Sequence, residues 1–224
     1  MSTEPPLTLI SATPSPYART NIIALTLKSI HYTLINEIPW HANTTTLAYN
    51  PLEKLPILLF PDGRQPVYDS AHIQEYIVAK YADRGPRLLT GDVDLDLEIR
   101  QIVVLALGCL DAVVLANFEK ARGEEKMSAV WLARQDRKID GGMRAMGGLV
   151  EKRVAEEKEW LVGGEMSIAD IAVVCVVVGI DFLGARKGWR GEYPELAGYV
   201  ERVDGMEGFR ETRPVMFELA EAVV

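Results

Sequence analysis

The sequence predicts two folded parts: an α/β domain of β-α-β then β-β-α order over residues 1–83, and an all-helical domain over 94–224, with a linker at 84–93. Three observations carry this. Short apolar runs alternate with amphipathic stretches in the first part, whereas apolar residues at helical spacing fill nearly everything that follows. Between them, Ala82-Asp83-Arg84-Gly85-Pro86-Arg87 and Thr90-Gly91-Asp92 have the glycine, proline and charge content of a connector.

Leu7–Ser11 reads as a strand, and the turn formers Ala12-Thr13-Pro14-Ser15-Pro16 lead into a helix reaching about Ser29. Ser15 suits its N-cap and Pro16 its first position, where a missing N–H costs nothing because that donor is orphaned anyway. Tyr32–Glu37 gives a second strand, so strand, helix and strand imply a right-handed parallel unit, followed by a polar irregular stretch. Leu55–Phe60, the turn Pro61-Asp62-Gly63-Arg64 and Pro66-Val67-Tyr68 read as a hairpin, entered through Pro56, where a cis bond fits. A helix then begins at Asp69-Ser70 and runs to Lys80.

In the second part, Ile99, Ile102, Val103, Ala106, Leu110, Val113 and Val114 mark a long helix from Leu95 to about Lys120. Another is expected from Glu125 to about Glu159, kinked or broken at Gly141-Gly142 and Gly147-Gly148, since each internal glycine costs about 1 kcal/mol relative to alanine. Ser167-Ile168-Ala169-Asp170 matches a capping box. It opens Ile171-Ala172-Val173-Val174-Cys175-Val176-Val177-Val178, apolar on every side and so expected at the centre of the helical domain.

Charge narrows the partners. The 224 residues hold 24 Lys and Arg against 32 Asp and Glu, a formal charge of −8, with no basic run longer than two residues. That leaves no electrostatic footprint for nucleic acid or an anionic membrane surface. Cys109 and Cys175 lie among apolar residues, outside any disulfide or zinc spacing, and His31, His41 and His72 lack the i, i+4 pairing of helix-borne ligands, so no metal is expected. MSTEPPLTLI has neither a basic nor an apolar signal region, and the longest apolar run, Ile171–Ile180, is far below the ~18 residues of a membrane span. A cytoplasmic protein is the expectation.

Several residues can carry chemistry. A helix start at the carboxyl end of the first strand offers free N–H groups and a positive dipole end. A thiolate held there would be stabilised by the Ser15 hydroxyl, which lowers a thiol pKa from its usual ~8.5; otherwise Ser15 is simply an N-cap. Asp69 and Ser70, at a second helix start, can take the ammonium and carboxylate of an amino-acid-like group or serve only as caps. If Pro56 is cis, Leu55 exposes an N–H and a C=O suited to antiparallel pairing with a short peptide. Lys54 can balance a second carboxylate, and Trp40 and His41 in the irregular stretch can reach the same ligand end; a surface charge, a half-buried ring and a surface imidazole are the plain alternatives. The two cysteines read as packing residues.

Taken together, Ser15-Pro16-Tyr17-Ala18-Arg19, Asn50-Pro51-Leu52-Glu53-Lys54-Leu55-Pro56, Tyr68-Asp69-Ser70 and Ser167-Ile168-Ala169-Asp170 resemble a glutathione transferase along nearly the whole chain. Ile35–Trp40 and Glu211-Thr212-Arg213-Pro214 look most like bacterial-type members and their fungal relatives. The resemblance implies a thioredoxin-like first domain that binds glutathione as co-substrate. It makes Pro56 the cis-proline, Leu55 the backbone partner of the cysteinyl part, and Asp69 and Ser70 the contacts to the γ-glutamyl group. It also implies a homodimer, a detoxifying transferase, and a small hydrophobic electrophile held between Tyr17 and the helical domain, with Cys109, Asp111, Val114 and Phe118 as lining. Ser15, or Tyr17 in its place, supplies the hydrogen bond to sulfur. Ser15 stands where related members carry cysteine, and serine cannot form a mixed disulfide, which favours conjugation. Glu53 stands where many members have glycine, beside the Lys54 contact. Two other readings remain: a transferase-like binding or regulatory module without turnover, and a glutathione-dependent peroxidase.

Overall fold

The structure is a computed structural model and describes residues 5–216. Residues 1–4, at the start of the stretch tested for signal character, and the end of the second domain beyond residue 216 lie outside the described residues. Four strands form one sheet of order β2-β1-β3-β4: β1 (Leu7–Ser11), β2 (Tyr32–Asn36), β3 (Ile57–Leu59) and β4 (Val67–Tyr68). β1 pairs parallel with β2, and β3 pairs antiparallel with both β1 and β4. Helices α1 (Pro16–Leu27) and α3 (Ser70–Lys80) pack on each other, and a short helix α2 (Thr46–Tyr49) lies in the stretch expected to be irregular. This is the thioredoxin-like arrangement.

The register places the site. Ser11 is opposite Asn36, Ile10 is opposite Ile57, and Ile57 is opposite Tyr68. The end of β1, the entry to β3 and the exit of β4 therefore meet at one end of the sheet. Ser15, the Leu55-Pro56 bond and Asp69-Ser70 follow or precede those strand ends directly. Two side-chain amides lock α1 to α3 behind them: Asn21 Nδ2 donates to the Ser70 carbonyl at 2.8 Å, and Gln74 Nε2 to the Thr20 carbonyl at 3.3 Å.

The chain divides into two compact units between Arg87 and Leu88, and the described residues from Glu211 onward belong with the first unit. The division differs from a boundary spread over 84–93 and a second domain running to the C-terminus. Leu88 is buried and its carbonyl accepts from Ile168 N at 3.0 Å, so this part of the connector is already structure of the helical unit.

That unit contains α4 (Val93–Ala121), α5 (Ala129–Ala155), α6 (Ile168–Phe182), α7 (Trp189–Glu192) and α8 (Pro194–Asp204). α6 is buried on every side, as expected. Its β-branched residues are poor helix formers by about 0.5 kcal/mol each, but each buried Val or Ile gains roughly 1.5–3 kcal/mol on leaving water. Burial decides. α4 is long and apolar enough to cross a membrane, a property that its scattered charges hid from a search for uninterrupted apolar runs; half of its most apolar stretch is buried in the unit, as in a core helix.

α5 corrects the expected break: it runs uninterrupted as one helix of 27 residues. The glycines serve packing instead. A Cβ at Gly142 would lie 2.6 Å from Cys109 Sγ on α4, and one at Gly147 would lie 2.6 Å from the Tyr193 ring. Dense packing across these close approaches outweighs the propensity cost.

Candidate functional site

Ser15 has extended backbone and closes the turn after β1, its N–H donating to the Ala12 carbonyl at 3.0 Å. Its Oγ accepts from Ala18 N at 3.2 Å, making it the N-cap of α1 with Pro16 at the first helical position. Among the described residues the Ser15 hydroxyl proton has no acceptor. A half-buried serine thus satisfies one helix donor and keeps its own proton to give. Tyr17, half-buried on the first turn, accepts at its carbonyl from Thr20 Oγ1.

The Leu55-Pro56 bond is cis. The ladder starts at Ile57, so the Leu55 N–H and C=O lie outside it. Asn50, buried, braces the approach: its Nδ2 donates to the Lys54 carbonyl at 2.8 Å and its Oδ1 accepts from Leu52 N at 3.0 Å. Lys54 is exposed, as is Glu53, whose φ of +52° lies in the left-handed region that glycine adopts without strain.

Asp69 caps α3 through Oδ1, which accepts from Ala71 N at 2.9 Å and His72 N at 3.4 Å. Its φ of +73° is unfavourable for a residue with a Cβ. Such strain is held only where the surroundings enforce it, and it concentrates at ligand sites. The side chain is exposed, while Ser70 beside it is buried.

Two contributions were not foreseen. Glu37, whose N–H donates to the Ser11 carbonyl at 2.8 Å, gathers the loop after β2. Its carboxylate accepts from Thr44 Oγ1 (2.6 Å), Thr45 N (2.9 Å), Thr45 Oγ1 (2.7 Å) and Thr46 Oγ1 (3.1 Å). Burial raises its pKa, but those hydrogen bonds outweigh it and hold the carboxyl below the usual glutamate value. The run Thr44-Thr45-Thr46 was the available signal. This loop carries Trp40 and His41, both half-buried, and His41 Nε2 is enclosed without a hydrogen-bond partner. The second contribution is the segment after Arg210: Thr212 Oγ1 accepts from buried Arg19 Nε at 3.2 Å, and Val215 N donates to the Thr13 carbonyl at 3.3 Å, so the segment braces the Ser15 turn.

Cys109 is withdrawn from the expected lining. Only 3% exposed, it packs against Gly142, and burial, with Asp140 adding to it, pushes its thiol up to about 11. Asp111 and Phe118 are exposed and Val114 is half-buried. Among the described residues no three His, Cys, Asp or Glu side chains gather as a metal site.

A thioredoxin-like sheet end with a serine-capped helix, a cis-proline and a second capped helix, followed by a helical unit, defines a class of thioredoxin-like proteins with a helical second domain. Comparison with known proteins gives the family. Residues 14–80 match the glutathione S-transferase N-terminal domain and residues 129–202 the C-terminal domain. The chain is 31% identical over 207 residues to the uncharacterized GST-like protein YibF of Escherichia coli K12, covering 92% of this chain and 98% of that protein. It is similar to a glutathione S-transferase of Methylobacterium radiotolerans solved with glutathione sulfonate, at 40% identity and a TM-score of 0.90, over 98% of this chain and all of that one. A Methylobacillus flagellatus glutathione S-transferase solved with glutathione is 29% identical, with a TM-score of 0.85 over 93% of this chain and 100% of that one. The chain belongs to the glutathione S-transferase family.

Proposed function

We propose that the chain binds glutathione at the Ser15 end of the sheet, holds its sulfur as thiolate, and directs it at an electrophilic carbon of a small apolar substrate. The observation that carries this reading is the uncommitted proton of Ser15 at the first turn of α1. A hydroxyl donating to sulfur beside orphan N–H groups favours the charged form and lowers the thiol pKa. Leu55 would pair with the cysteinyl backbone, and Asp69 and Ser70 would hold the γ-glutamyl end. His41 Nε2 and Lys54 are the groups at hand for the glycine end. The relatives solved with glutathione and its sulfonate support the same ligand class. Serine in place of cysteine supports conjugation over disulfide reduction.

The reaction with 1-chloro-2,4-dinitrobenzene defines the test: the thiolate sulfur bonds to the ring carbon, the carbon–chlorine bond breaks and chloride leaves. Retention on immobilised glutathione and thioether formation are both expected. Ser15→Ala is expected to keep retention and lose about ten- to a hundredfold in rate, the value of a hydrogen bond to a charged group, roughly 1.5–3 kcal/mol. Tyr17→Phe is expected to change the rate less than threefold; the reverse ranking would transfer the sulfur contact to Tyr17. Binding without turnover would overturn the enzyme reading in favour of a binding module.

The same proposal includes a homodimer in the cytoplasm with a detoxifying role. Leu97 and Val104, each 64% exposed on α4, support pairing with a second copy, because outward apolar residues on one long helix are costly unless covered. Two buried free cysteines suit a reducing compartment.

A further inference from the structure

Among the described residues, Ser29, Glu53, Asp69, Leu88 and Glu157 have a positive φ without being glycine. For all but Glu53 the fold supplies the reason. Ser29 and Glu157 sit just past the C-caps of α1 and α5, where Ile30 N donates to the Leu25 carbonyl and Lys158 N to the Arg153 carbonyl, both at 2.9 Å, the common left-handed closure of a helix. Asp69 caps α3, and Leu88 is buried with its carbonyl on Ile168 N. The Glu53 side chain is exposed and, among the described residues, makes no hydrogen bond or ion pair.

The backbone nonetheless holds Glu53 firmly. Its N–H donates to the Asn50 carbonyl at 3.0 Å, closing a turn with Pro51 second and Glu53 fourth, the position where turns led by proline favour glycine. Buried Asn50 ties both sides of that turn, through Leu52 N and the Lys54 carbonyl. A carboxylate therefore stands at a set place next to Lys54, whose ammonium likewise has no ion-pair partner among the described residues. Backbone strain with no internal contact to offset it is characteristic of a place where a ligand is held.

The next step rests on the glutathione reading of Leu55. A peptide that pairs antiparallel with Leu55 runs opposite to the chain, so the residue after its cysteinyl part meets Lys54 and Glu53. Glycine brings only a carboxylate there, which Lys54 attracts and Glu53 repels. We propose that Glu53 determines specificity at this end, and that the preferred co-substrate class is a γ-glutamylcysteinyl peptide whose third residue carries a side-chain ammonium. Lys54 takes the terminal carboxylate of that residue and Glu53 its ammonium.

Calorimetric titration of the full chain with the S-methyl forms of γ-glutamylcysteinyl-glycine, -lysine and -glutamate tests it. The lysyl peptide is expected to bind about threefold tighter than the glycyl one and about tenfold tighter than the glutamyl one, the scale of an exposed ion pair gained and a like-charge contact avoided. High salt is expected to narrow both gaps. Glu53→Gln is expected to bring the three affinities to within about twofold, and Glu53→Lys to invert their order. Glu53→Gly, which relieves the backbone, is expected to hold or raise the urea midpoint while losing the selection, an outcome that a purely structural role would not give. Equal affinities in the unaltered chain, selection that survives Glu53→Gln, or a lower urea midpoint in Glu53→Gly would each overturn the proposal and leave the glutathione reading standing. Failure of all three peptides to bind would overturn both.

Discussion

Ser15 and Ser167 both cap helices in this protein and differ in what remains for each to do. Ser167, 2% exposed at the start of α6, accepts from Ala169 N at 3.2 Å and donates to Asp170 Oδ2 at 2.8 Å. Asp170 also accepts from Ser167 N (2.7 Å), Leu161 N (2.9 Å) and the Tyr199 hydroxyl, and burial with the adjacent carboxylate pushes the Tyr199 phenol above its usual pKa, keeping it a donor. Every hydrogen bond of that cap is spent on the fold. Ser15 accepts one bond and keeps its proton. Residue type makes both of them caps; burial and the presence of an acceptor separate a structural cap from one that can act on a ligand.

The contrast breaks first at Asp170. Asp170→Ala strands four buried donors, Ser167 N and Oγ, Leu161 N and the Tyr199 hydroxyl, each worth about 1–3 kcal/mol when left unpaired. A loss of at least about 4 kcal/mol is expected in urea unfolding, a large part of the usual 5–15 kcal/mol. An effect near 1 kcal/mol would show that the cap is not the keystone of α6. Gly142→Ala probes the same unit by packing alone. Its Cβ would be forced to 2.6 Å from Cys109 Sγ, and overpacking of this kind costs about 1–3 kcal/mol. A stabilised variant would mean that α4 and α5 give way and that glycine there is mere tolerance.

Ser15→Ala is expected to cost only about 1 kcal/mol in the same unfolding measurement, the usual value of a cap, despite its large effect on rate. The conjugation pH profile of the variant is expected to move up toward the ~8.5 of a free thiol. A stability loss as large as that of Asp170→Ala would erase the distinction between the caps.

The caps themselves were legible because Ser-Pro, Asp-Ser and Ser-x-x-Asp are local signals with a local cause: orphan N–H groups. β1, α1, the β3–β4 hairpin and α6 follow from the same short-range logic. Misreadings arose where a distant partner decides. Gly142 and Gly147 read as helix breakers until Cys109 and Tyr193 are seen against them, and the burial of Cys109 removes it from the expected cleft lining while bearing out the packing role that its apolar neighbours predict. The sheet-end loop was opaque for a related reason. Its short helix has little apolar pattern and is ordered by one carboxylate, Glu37, reaching residues seven to nine positions on.

Glu37 gives the smallest and most selective prediction. Because its folded pKa lies below the ordinary 4.5, the unfolded chain binds its proton first on acidification. Its contribution is therefore full above about pH 4.5 and is lost as pH falls through the lower folded value. Glu37→Gln, which keeps the shape but not the charge, is expected to flatten that acid limb in urea unfolding and to cost little at pH 7, since the group is only half-buried and water can replace its bonds to threonine hydroxyls. The loop it gathers carries His41, so the variant is also expected to weaken retention on glutathione more than it weakens the fold. Equal loss of both would make Glu37 a strut of the whole unit rather than of the sheet end where Ser15 stands.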